Sequence, residues 1–571
     1  MDRPLNFSRR RFLRYSTLGS LALLTPPGAL RLGAGREARA NTANAPTPDV
    51  ELALSAQTGE VSLLPGRATH IWKYTGKVLK GPRDSLAEPS DTYLGPVIRV
   101  RRGQRVRLRL QNDLAEATNI HWHGLHVPAD MDGHPRHVAP AGREFIYEFD
   151  IKDRAGTYWY HPHPHGRTGK QIYSGLAGLF LIEDDEEQAL ELPRGEYDVP
   201  LVLQDRTFDA DNQLVYLDDN PDRDGGTMRR MMDGGMGGMM QRMLGGVTMN
   251  GMMDRMMGGG MRRGGGMMGM MARMMGFLGD RVVVNGRPDF TLTVATRAYR
   301  LRLLNASNSR IFKLAWQDGS PLTVIATDGG LLEKPLTKPY VTLAPGERIE
   351  LWADFSRYPV GTELRLRSLP FAGGMAMSGM MMGMMRRGAL ENGAEFDVLK
   401  VRVHRKERRS PPLPARLSAI ERYRPEDAVN FNRPRRFHIT MGHMRWGING
   451  RRFEMEGVAD DEVVKLDTLE IWEFANDASM GMMGMMAHPM HIHGLQFQVI
   501  ERTVMPALTE AWKTVSAGYV DDGWKDEVLL MPGERAKVLL RFKNYTGLFA
   551  YHCHMLEHGD TGLMRNYRVR A

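Results

Sequence analysis

The chain has 571 residues, of which 25% are charged and 42% are hydrophobic. This length is too great for one hydrophobic core and predicts three or four domains of a soluble globular protein. The single cysteine excludes an intrachain disulfide, so its thiol is a candidate for chemistry.

The first residues of the chain have the pattern of an export signal. Arg9 and Arg10 form a twin-arginine pair, an apolar stretch follows over roughly residues 15–24, and residues 38–40 read Ala-Arg-Ala, a candidate cleavage site. The apolar stretch is too short to span a bilayer. We therefore predict a twin-arginine signal peptide over residues 1–40 and a periplasmic location. The alternative is a basic, disordered tail.

The charge of the chain argues against a nucleic-acid partner. Residues 1–40 hold eight arginines, no lysine and two acidic residues, which gives +6 of the formal net charge of +9. The mature chain would carry only about +3, too little for a general affinity for nucleic acid. We expect a monomer without a membrane span.

From about residue 50 onward, the sequence has the pattern of an all-β protein. Short runs of alternating apolar and polar residues, such as residues 106–110 and 299–303, are separated by glycine and proline turns. This pattern predicts three β-sandwich or barrel domains over about 50–190, 196–405 and 430–571.

Ten of the eighteen histidines and the only cysteine fall in four short motifs. His-Trp-His begins at residue 121 and His-Pro-His at residue 161, both in the first predicted domain. His-Pro-Met-His-Ile-His begins at residue 488 and His-Cys-His-Met-Leu-Glu-His at residue 552, both in the last. The middle domain has one histidine, His404. A metal site between the first and last domains would leave the middle one as a spacer or platform.

The spacing of the motifs predicts two metal sites. Residues two apart on a strand point to the same face, so four His-x-His pairs can bring eight imidazoles to one cluster, enough for three copper ions. Cys553 then points to the opposite face, a few covalent bonds from its neighbours. With His488 and His558 it makes the cysteine and two-histidine set of a blue-copper site. Zinc can use similar ligands, but a structural zinc site does not explain eight further paired histidines.

These four motifs resemble those of the multicopper oxidases, and residues 161–170 and 175–179 are most similar to the bacterial cuprous oxidases of copper efflux. The resemblance implies three cupredoxin-like Greek-key domains and four copper ions. It also implies that Asp132 matches an acidic residue used for proton delivery to oxygen. The implied ligands are His488, Cys553 and His558 for one type 1 copper, His121 and His491 for one type 2 copper, and His123, His161, His163, His493, His552 and His554 for two type 3 coppers.

The sequence departs from this family at two positions near the C-terminus. The family usually has an axial methionine ten residues after the cysteine, where this chain has Leu563, followed by Met564. Either the type 1 copper has no sulfur axial ligand, which would raise its reduction potential, or a small backbone shift lets Met564 coordinate. Gly559 replaces a glutamate that cuprous oxidases often use for proton relay.

Three methionine-rich and glycine-rich stretches, at 228–275, 375–385 and 480–486, hold 19, 7 and 5 of the 41 methionines. Thioethers are soft ligands that select Cu(I), and the last stretch ends two residues before His488. Met485 and Met486 are therefore candidates for binding Cu(I) as substrate, although Gly484 replaces the aspartate that cuprous oxidases place nearby. The alternative is that these stretches are flexible insertions, the longest of which could limit access for bulky phenols.

The sequence thus predicts an oxidase that takes single electrons from Cu(I) or a small organic reductant and passes them through Cys553 to His552 and His554, where O₂ is reduced to water. One alternative is a laccase-type enzyme whose substrates are phenols and aromatic amines. The other is a non-enzymatic copper-sequestering or cupredoxin-fold interaction protein.

Overall fold

Strands dominate the structure, a computed structural model that describes residues 46–217, 273–372, 390–442, 445–477 and 485–571. In these ranges the strands form six sheets, and each sheet takes its strands from one of three successive segments of the chain. The predicted all-β class is confirmed. The predicted signal peptide and most of the three methionine-rich stretches lie outside the described residues.

The first segment, residues 50–183, forms two sheets that enclose a common core. The sheets have the strand orders β2-β1-β5-β7 and β3-β4-β9-β8-β6. On β5, Val106, Leu108 and Leu110 are buried and alternate with partly exposed residues, as the sequence pattern predicts. The strands are β1 (Val50–Val61), β2 (Thr69–Lys80), β3 (Leu86–Ala87), β4 (Val97–Arg101), β5 (Arg105–Asn112), β6 (His121–His123), β7 (Glu144–Asp150), β8 (Gly156–His161) and β9 (Gly178–Glu183).

The middle segment, residues 198–405, forms a seven-stranded sheet in the order β12-β11-β10-β14-β19-β16-β17 and a five-stranded sheet in the order β13-β21-β20-β15-β18. Both contribute leucine, valine and isoleucine side chains to one core. The strands are β10 (Asp198–Arg206), β11 (Arg281–Val284), β12 (Arg287–Pro288), β13 (Thr291–Ala295), β14 (Ala298–Asn305), β15 (Phe312–Trp316), β16 (Leu322–Thr327), β17 (Gly330–Lys338), β18 (Val341–Leu343), β19 (Arg348–Asp354), β20 (Glu363–Ser368) and β21 (Phe396–Arg405).

The last segment, residues 435–570, forms two five-stranded sheets in the orders β23-β22-β25-β29-β27 and β24-β31-β30-β26-β28. Their shared core contains Cys553 among aromatic, methionine and leucine side chains. The strands are β22 (Arg435–Gly442), β23 (Arg445–Ile448), β24 (Val463–Lys465), β25 (Leu469–Ala475), β26 (His488–Ile492), β27 (Phe497–Val504), β28 (Glu527–Leu530), β29 (Glu534–Arg541), β30 (Gly547–Cys553) and β31 (Met564–Arg570).

The helices are short and lie between strands. No helix in the described part of the chain is long and apolar enough to cross a membrane. Within the described ranges, the complete α-helices are α1 (Thr168–Ser174), α2 (Asp185–Gln188), α3 (Thr509–Ser516) and α4 (Leu556–Asp560). Single 3₁₀ turns occur at Arg83–Ser85, Gly195–Tyr197, Pro425–Asp427, Asp460–Glu462 and Pro506–Leu508.

Residues 48–571 form one compact unit. The strands of the three segments fall inside the predicted domains 50–190, 196–405 and 430–571. The exact domain boundaries stay a prediction.

Candidate metal centres

The four predicted pairs of histidines meet where the first and last segments come together. β6 pairs with β8 so that His121 lies opposite His161, and β26 pairs with β30 so that His491 lies opposite His552. Across the two segments, the Nε2 atoms of His121 and His491 are 3.2 Å apart. We call the eight buried imidazoles the histidine cluster: His121, His123, His161, His163, His491, His493, His552 and His554.

The hydrogen bonds of His121 and His491 show that this contact fits a metal ion. Nδ1 of His121 donates to the carbonyl of Asp132 and Nδ1 of His491 to the carbonyl of Asp526, each over 2.7 Å. A neutral imidazole that donates from Nδ1 keeps a lone pair on Nε2, so two lone pairs face each other at 3.2 Å. That separation would let both Nε2 atoms bind one ion at the usual metal–nitrogen bond length of about 2.0 Å. One metal ion therefore fits between the rings.

A second group joins His163, His493 and His552. Nε2 of His552 lies 3.1 Å from Nε2 of His163 and 3.0 Å from Nε2 of His493. Burial and the neighbouring imidazoles lower the pKa of His163 and His493 well below the ordinary value, and burial lowers the pKa of His552 to about 4. The rings are therefore neutral near pH 7, which is the state in which imidazole binds metals.

A third group contains His123, His161 and His554. Nδ1 of His123 is 3.4 Å from Nε2 of His161, and the ring centroid of His554 is 4.9 Å from that of His123. Both ring nitrogens of His554 are buried and lack a hydrogen-bond partner among the described residues. Buried polar atoms are rarely left unpaired, so a role as metal ligand explains why the His554 ring has no hydrogen-bond partner there. The six predicted type 3 ligands thus lie in two groups of three.

The only cysteine lies on the other face of β30, in the predicted set of ligands. Sγ of Cys553 is 3.6 Å from Nδ1 of His488 and 3.7 Å from Nδ1 of His558, and all three residues are fully buried. We call these three residues the thiolate centre. Burial raises the pKa of the Cys553 thiol well above its ordinary value. A bound cation would displace the thiol proton and compensate the buried thiolate.

The register of β30 and β31 distinguishes the two candidates for an axial ligand. Met564 pairs with His552, and directly paired residues of antiparallel strands point to the same face. Met564 therefore faces the side of His552, away from Cys553. Leu563 is fully buried and packs in the apolar core that contains Cys553. This arrangement favours Leu563 as the residue on the side of the thiolate.

Asp132 lies between two ligands of the histidine cluster. Its carbonyl accepts from His121, and its Oδ2 accepts from Nδ1 of His493 over 2.7 Å. Burial raises the pKa of its carboxyl well above the ordinary value. The structure thus brings Asp132 to the cluster, and its predicted use in proton delivery stays a prediction.

Of the two methionines predicted to bind Cu(I), one is buried and the other is partly exposed. Met486 is 4% exposed and packs in the same apolar core as Cys553, while its carbonyl accepts from Asn476. Met485 is partly exposed. Met485 is therefore the better placed of the two to meet an incoming ion.

The middle segment contributes a residue that the sequence did not point to. Arg348 on β19 donates two hydrogen bonds to the carboxylate of Asp526, at 2.7 and 2.5 Å, and that carboxylate lies 3.1 Å from Nε2 of His123. Burial raises the pKa of the Asp526 carboxyl above its ordinary value, and Arg348 opposes the rise. Of the two interpretations of the middle domain, this contact favours a platform over a spacer, because its arginine supports a ligand of the cluster.

Glu527 is a second residue that sequence reasoning missed. One of its carboxyl oxygens lies 3.8 Å from Nε2 of His123 and from Nδ1 of His491, and neither oxygen has a hydrogen-bond partner in the described ranges. Burial, helped by nearby acidic groups such as Asp526, raises its pKa well above the ordinary value. The Asp526–Glu527 pair belongs to none of the histidine motifs, so no sequence pattern indicated this placement.

Comparisons with known proteins agree with this geometry. Two family models described as multicopper oxidase match residues 71–187 and 428–571. The crystal structure of the McoA multicopper oxidase from the hyperthermophile Aquifex aeolicus is 31% identical, with a TM-score of 0.69, over 92% of this chain and 97% of that one. The multicopper oxidase mco of Staphylococcus aureus is 29% identical over 90% of this chain and 88% of its own. The cell division protein FtsP of Edwardsiella tarda is 31% identical over 92% of this chain and 90% of its own.

Proposed function

Because this chain belongs to the multicopper oxidase family, we propose that it couples one-electron oxidation of Cu(I) at the thiolate centre to four-electron reduction of O₂ to water at the histidine cluster. One observation carries this proposal: all ten predicted histidine ligands and Cys553 are buried and lie together in two neighbouring groups. Four copper ions, one at the thiolate centre and three at the cluster, would supply electron transfer and oxygen reduction when bound.

The two centres are joined by consecutive residues at the C-terminal end of β30. Cys553, the last residue of β30, contributes to the thiolate centre, and His552 before it points to the cluster, as the period of a strand requires. His554 follows directly after the strand and also belongs to the cluster. Nδ1 of His552 also donates to the carbonyl of Cys553 over 3.0 Å. This hydrogen bond offers a second, through-space connection between the thiolate and an imidazole of the cluster.

The methionines support Cu(I) as the physiological donor. A thioether binds Cu(I) without losing a proton, so it works at any pH that the protein encounters. Met485 is partly exposed and lies three residues before His488 in the chain. We propose Met485 as a contact for the incoming ion, with Met486 packed behind it.

The test compares two donors on protein of measured copper content. Oxygen uptake should be faster with Cu(I) than with a phenol, and Met485→Leu should raise the KM for Cu(I) several-fold while leaving the KM for the phenol unchanged. Met505→Leu is the matched control, because Met505 is exposed elsewhere in the last segment. A preference for the phenol would favour the laccase-type alternative.

One similar protein, FtsP, is named for cell division and not as an oxidase, so a non-enzymatic copper-sequestering or interaction protein is the remaining alternative. The complete set of ligands in this chain argues against it. A copper-loaded sample that consumes no O₂ with either donor would favour this candidate over an oxidase.

The proposed location is the periplasm. The proposal depends on the twin-arginine pair at Arg9 and Arg10. Replacing both arginines by lysine should leave the protein in the cytoplasm of a bacterial host. Export of that variant at the normal level would contradict the proposal.

A further inference from the structure

Glu557, the neighbour of His558, is an unusually well-bonded buried carboxylate. It is 2% exposed, and each of its two oxygens accepts two hydrogen bonds from neutral groups. Four donors reduce the cost of burying the charge. Oε1 accepts from the hydroxyl of Tyr216 (2.7 Å) and Nδ2 of Asn308 (2.7 Å), and Oε2 accepts from the hydroxyl of Ser309 (2.8 Å) and the backbone N–H of Phe277 (3.0 Å).

All four donors come from the middle segment, and two of them flank the first methionine-rich stretch. Tyr216 precedes residues 218–272 and Phe277 follows them, so one carboxylate holds both sides of this part of the chain. The rings of Tyr216 and Phe277 also pack together, with centroids 5.1 Å apart. We call Glu557 and its four donors the Glu557 clamp.

Three residues before Phe277, the backbone contacts a residue of the thiolate centre directly. The carbonyl of Met274 accepts from Nε2 of His558 over 2.9 Å and from Nε1 of Trp446 over 3.1 Å. Because His558 donates from Nε2, its lone pair is on Nδ1, which faces Cys553. The Met274 carbonyl therefore sets both the orientation and the tautomer of this ligand.

We propose that Glu557 is a positioning residue of the thiolate centre. By holding Phe277 and Tyr216, it fixes the Met274 carbonyl, which in turn orients the His558 ring toward Cys553. The inference rests on copper binding at the thiolate centre, but it does not depend on which reductant the enzyme uses. Hydrogen bonds that orient metal-bound histidines commonly tune the metal site, and here the oriented group is reached through a backbone carbonyl of the middle segment.

The informative variant is Glu557→Gln, which keeps the shape of the side chain. Its NH₂ group must face either Tyr216 and Asn308 or Ser309 and Phe277. The hydroxyls can rotate to accept, but the N–H of Phe277 cannot accept. The Asn308 amide can turn its oxygen toward the new NH₂ group only by giving up its hydrogen bond to the carbonyl of Gly169 (3.1 Å). Either orientation of the glutamine side chain therefore weakens one side of the clamp.

Glu534→Gln is the matched control. Glu534 is also fully buried, and its Oε2 accepts from the hydroxyl of Tyr519 (3.2 Å) and the backbone N–H of Met531 (2.8 Å). Its other oxygen pairs with Arg502. The control thus removes a buried carboxylate of the last segment that is bonded to none of the four donors of the Glu557 clamp.

The first measurement is amide hydrogen exchange in the metal-free protein. In Glu557→Gln, the N–H groups of residues 273–284 should exchange at least ~10-fold faster than in the parent protein, because the clamp no longer restrains them. In Glu534→Gln they should exchange at the parent rate.

The second measurement uses the copper-loaded protein. The blue thiolate-to-copper absorption and the reduction potential of the type 1 copper should shift in Glu557→Gln and stay unchanged in Glu534→Gln at equal copper content. Unchanged exchange, absorption and potential in Glu557→Gln would overturn the proposal. If that variant does not fold, Tyr216→Phe and Ser309→Ala each remove a single donor, and a parent-like absorption and potential in both would overturn it equally.

These outcomes separate this inference from the proposed function. Exchange in the metal-free protein and the absorption of the oxidised protein involve no electron donor. A failure of Cu(I) oxidation in the parent protein would leave them intact.

Discussion

The thiolate centre and the histidine cluster adjoin each other at the end of β30, but they are assembled differently. His488, Cys553 and His558 all come from the last segment, whereas the cluster takes four imidazoles from the first segment and four from the last. The ligands of the thiolate centre can therefore come together within one segment, and those of the cluster require two segments to dock.

The middle segment contributes none of the predicted ligands and still reaches both sites. It supplies the Met274 carbonyl to His558 and the Arg348 guanidinium to Asp526 beside His123. This difference shows that the metal-ligand side chains and some of the groups that orient them come from different segments of the chain. The first and last segments provide the donor atoms, and the middle segment holds some of them in place.

Cys553→Ser should have the largest effect, because it removes the thiolate centre and leaves the histidine cluster intact. Without the thiolate, the blue absorption should vanish and oxidase turnover should fall by roughly 10³-fold, which equals about 4 kcal/mol of transition-state stabilisation. The cluster keeps all eight imidazoles, so copper content should fall by about a quarter of the parent value. Metal analysis and O₂ uptake measure both effects. Loss of most of the copper would mean that the two centres do not load independently.

Arg348→Met tests whether the cluster depends on the middle segment. The change leaves the Asp526 carboxylate buried without its cation, which should cost about 3–5 kcal/mol of the free energy of unfolding. Copper should be lost from the cluster before the blue absorption declines. Arg310→Met is the control, because Arg310 forms a similarly buried pair with Asp205. Equal loss of cluster copper in both variants would contradict a specific effect of Arg348.

Leu563→Met sharpens the account of the thiolate centre. A thioether on the side of Cys553 should stabilise Cu(II) and lower the reduction potential of the type 1 copper. A tenfold change in the ratio of Cu(II) to Cu(I) corresponds to about 59 mV, which is the order of shift expected. Redox titration of Met564→Leu is the control and should give the parent potential, since Met564 shares a face with His552. A shift in the control alone would assign the axial position to Met564.

Asp153→Asn gives the smallest effect and concerns a carboxyl that touches no ligand. Its Oδ2 accepts from the N–H of His126, and burial raises its pKa to about 7. Between about pH 4 and pH 7, Asp153 is protonated in the folded chain but ionised in the unfolded chain. The free energy of unfolding therefore falls as the pH rises through this range. Because the side chain is only partly buried, the variant should be about 1 kcal/mol more stable than the parent at pH 8.

Urea unfolding at pH 8 and pH 4 measures this difference, which should shrink at the lower pH. A constant difference between the two proteins would show that Asp153 does not titrate differently on folding.

The sequence predicted the ligands because their pattern is local. The strand rule groups each His-x-His pair on one face and puts Cys553 opposite His552, although the second histidine of three pairs lies just beyond the end of its strand. The supporting groups could not be predicted in this way. Arg348 and Asp526 are 178 residues apart in the chain, and a backbone carbonyl such as that of Met274 has no side-chain signature. The choice between Leu563 and Met564 needed the register of two strands, which the sequence does not contain.

The complete enclosure of the single thiol has a practical consequence. Cys553 has no exposed surface, so a thiol reagent can reach it in the metal-free protein only after the surrounding strands separate. With no second cysteine to compete, the rate of alkylation follows that opening alone. The alkylation rate of Cys553 in the metal-free protein therefore measures how often the last segment opens locally.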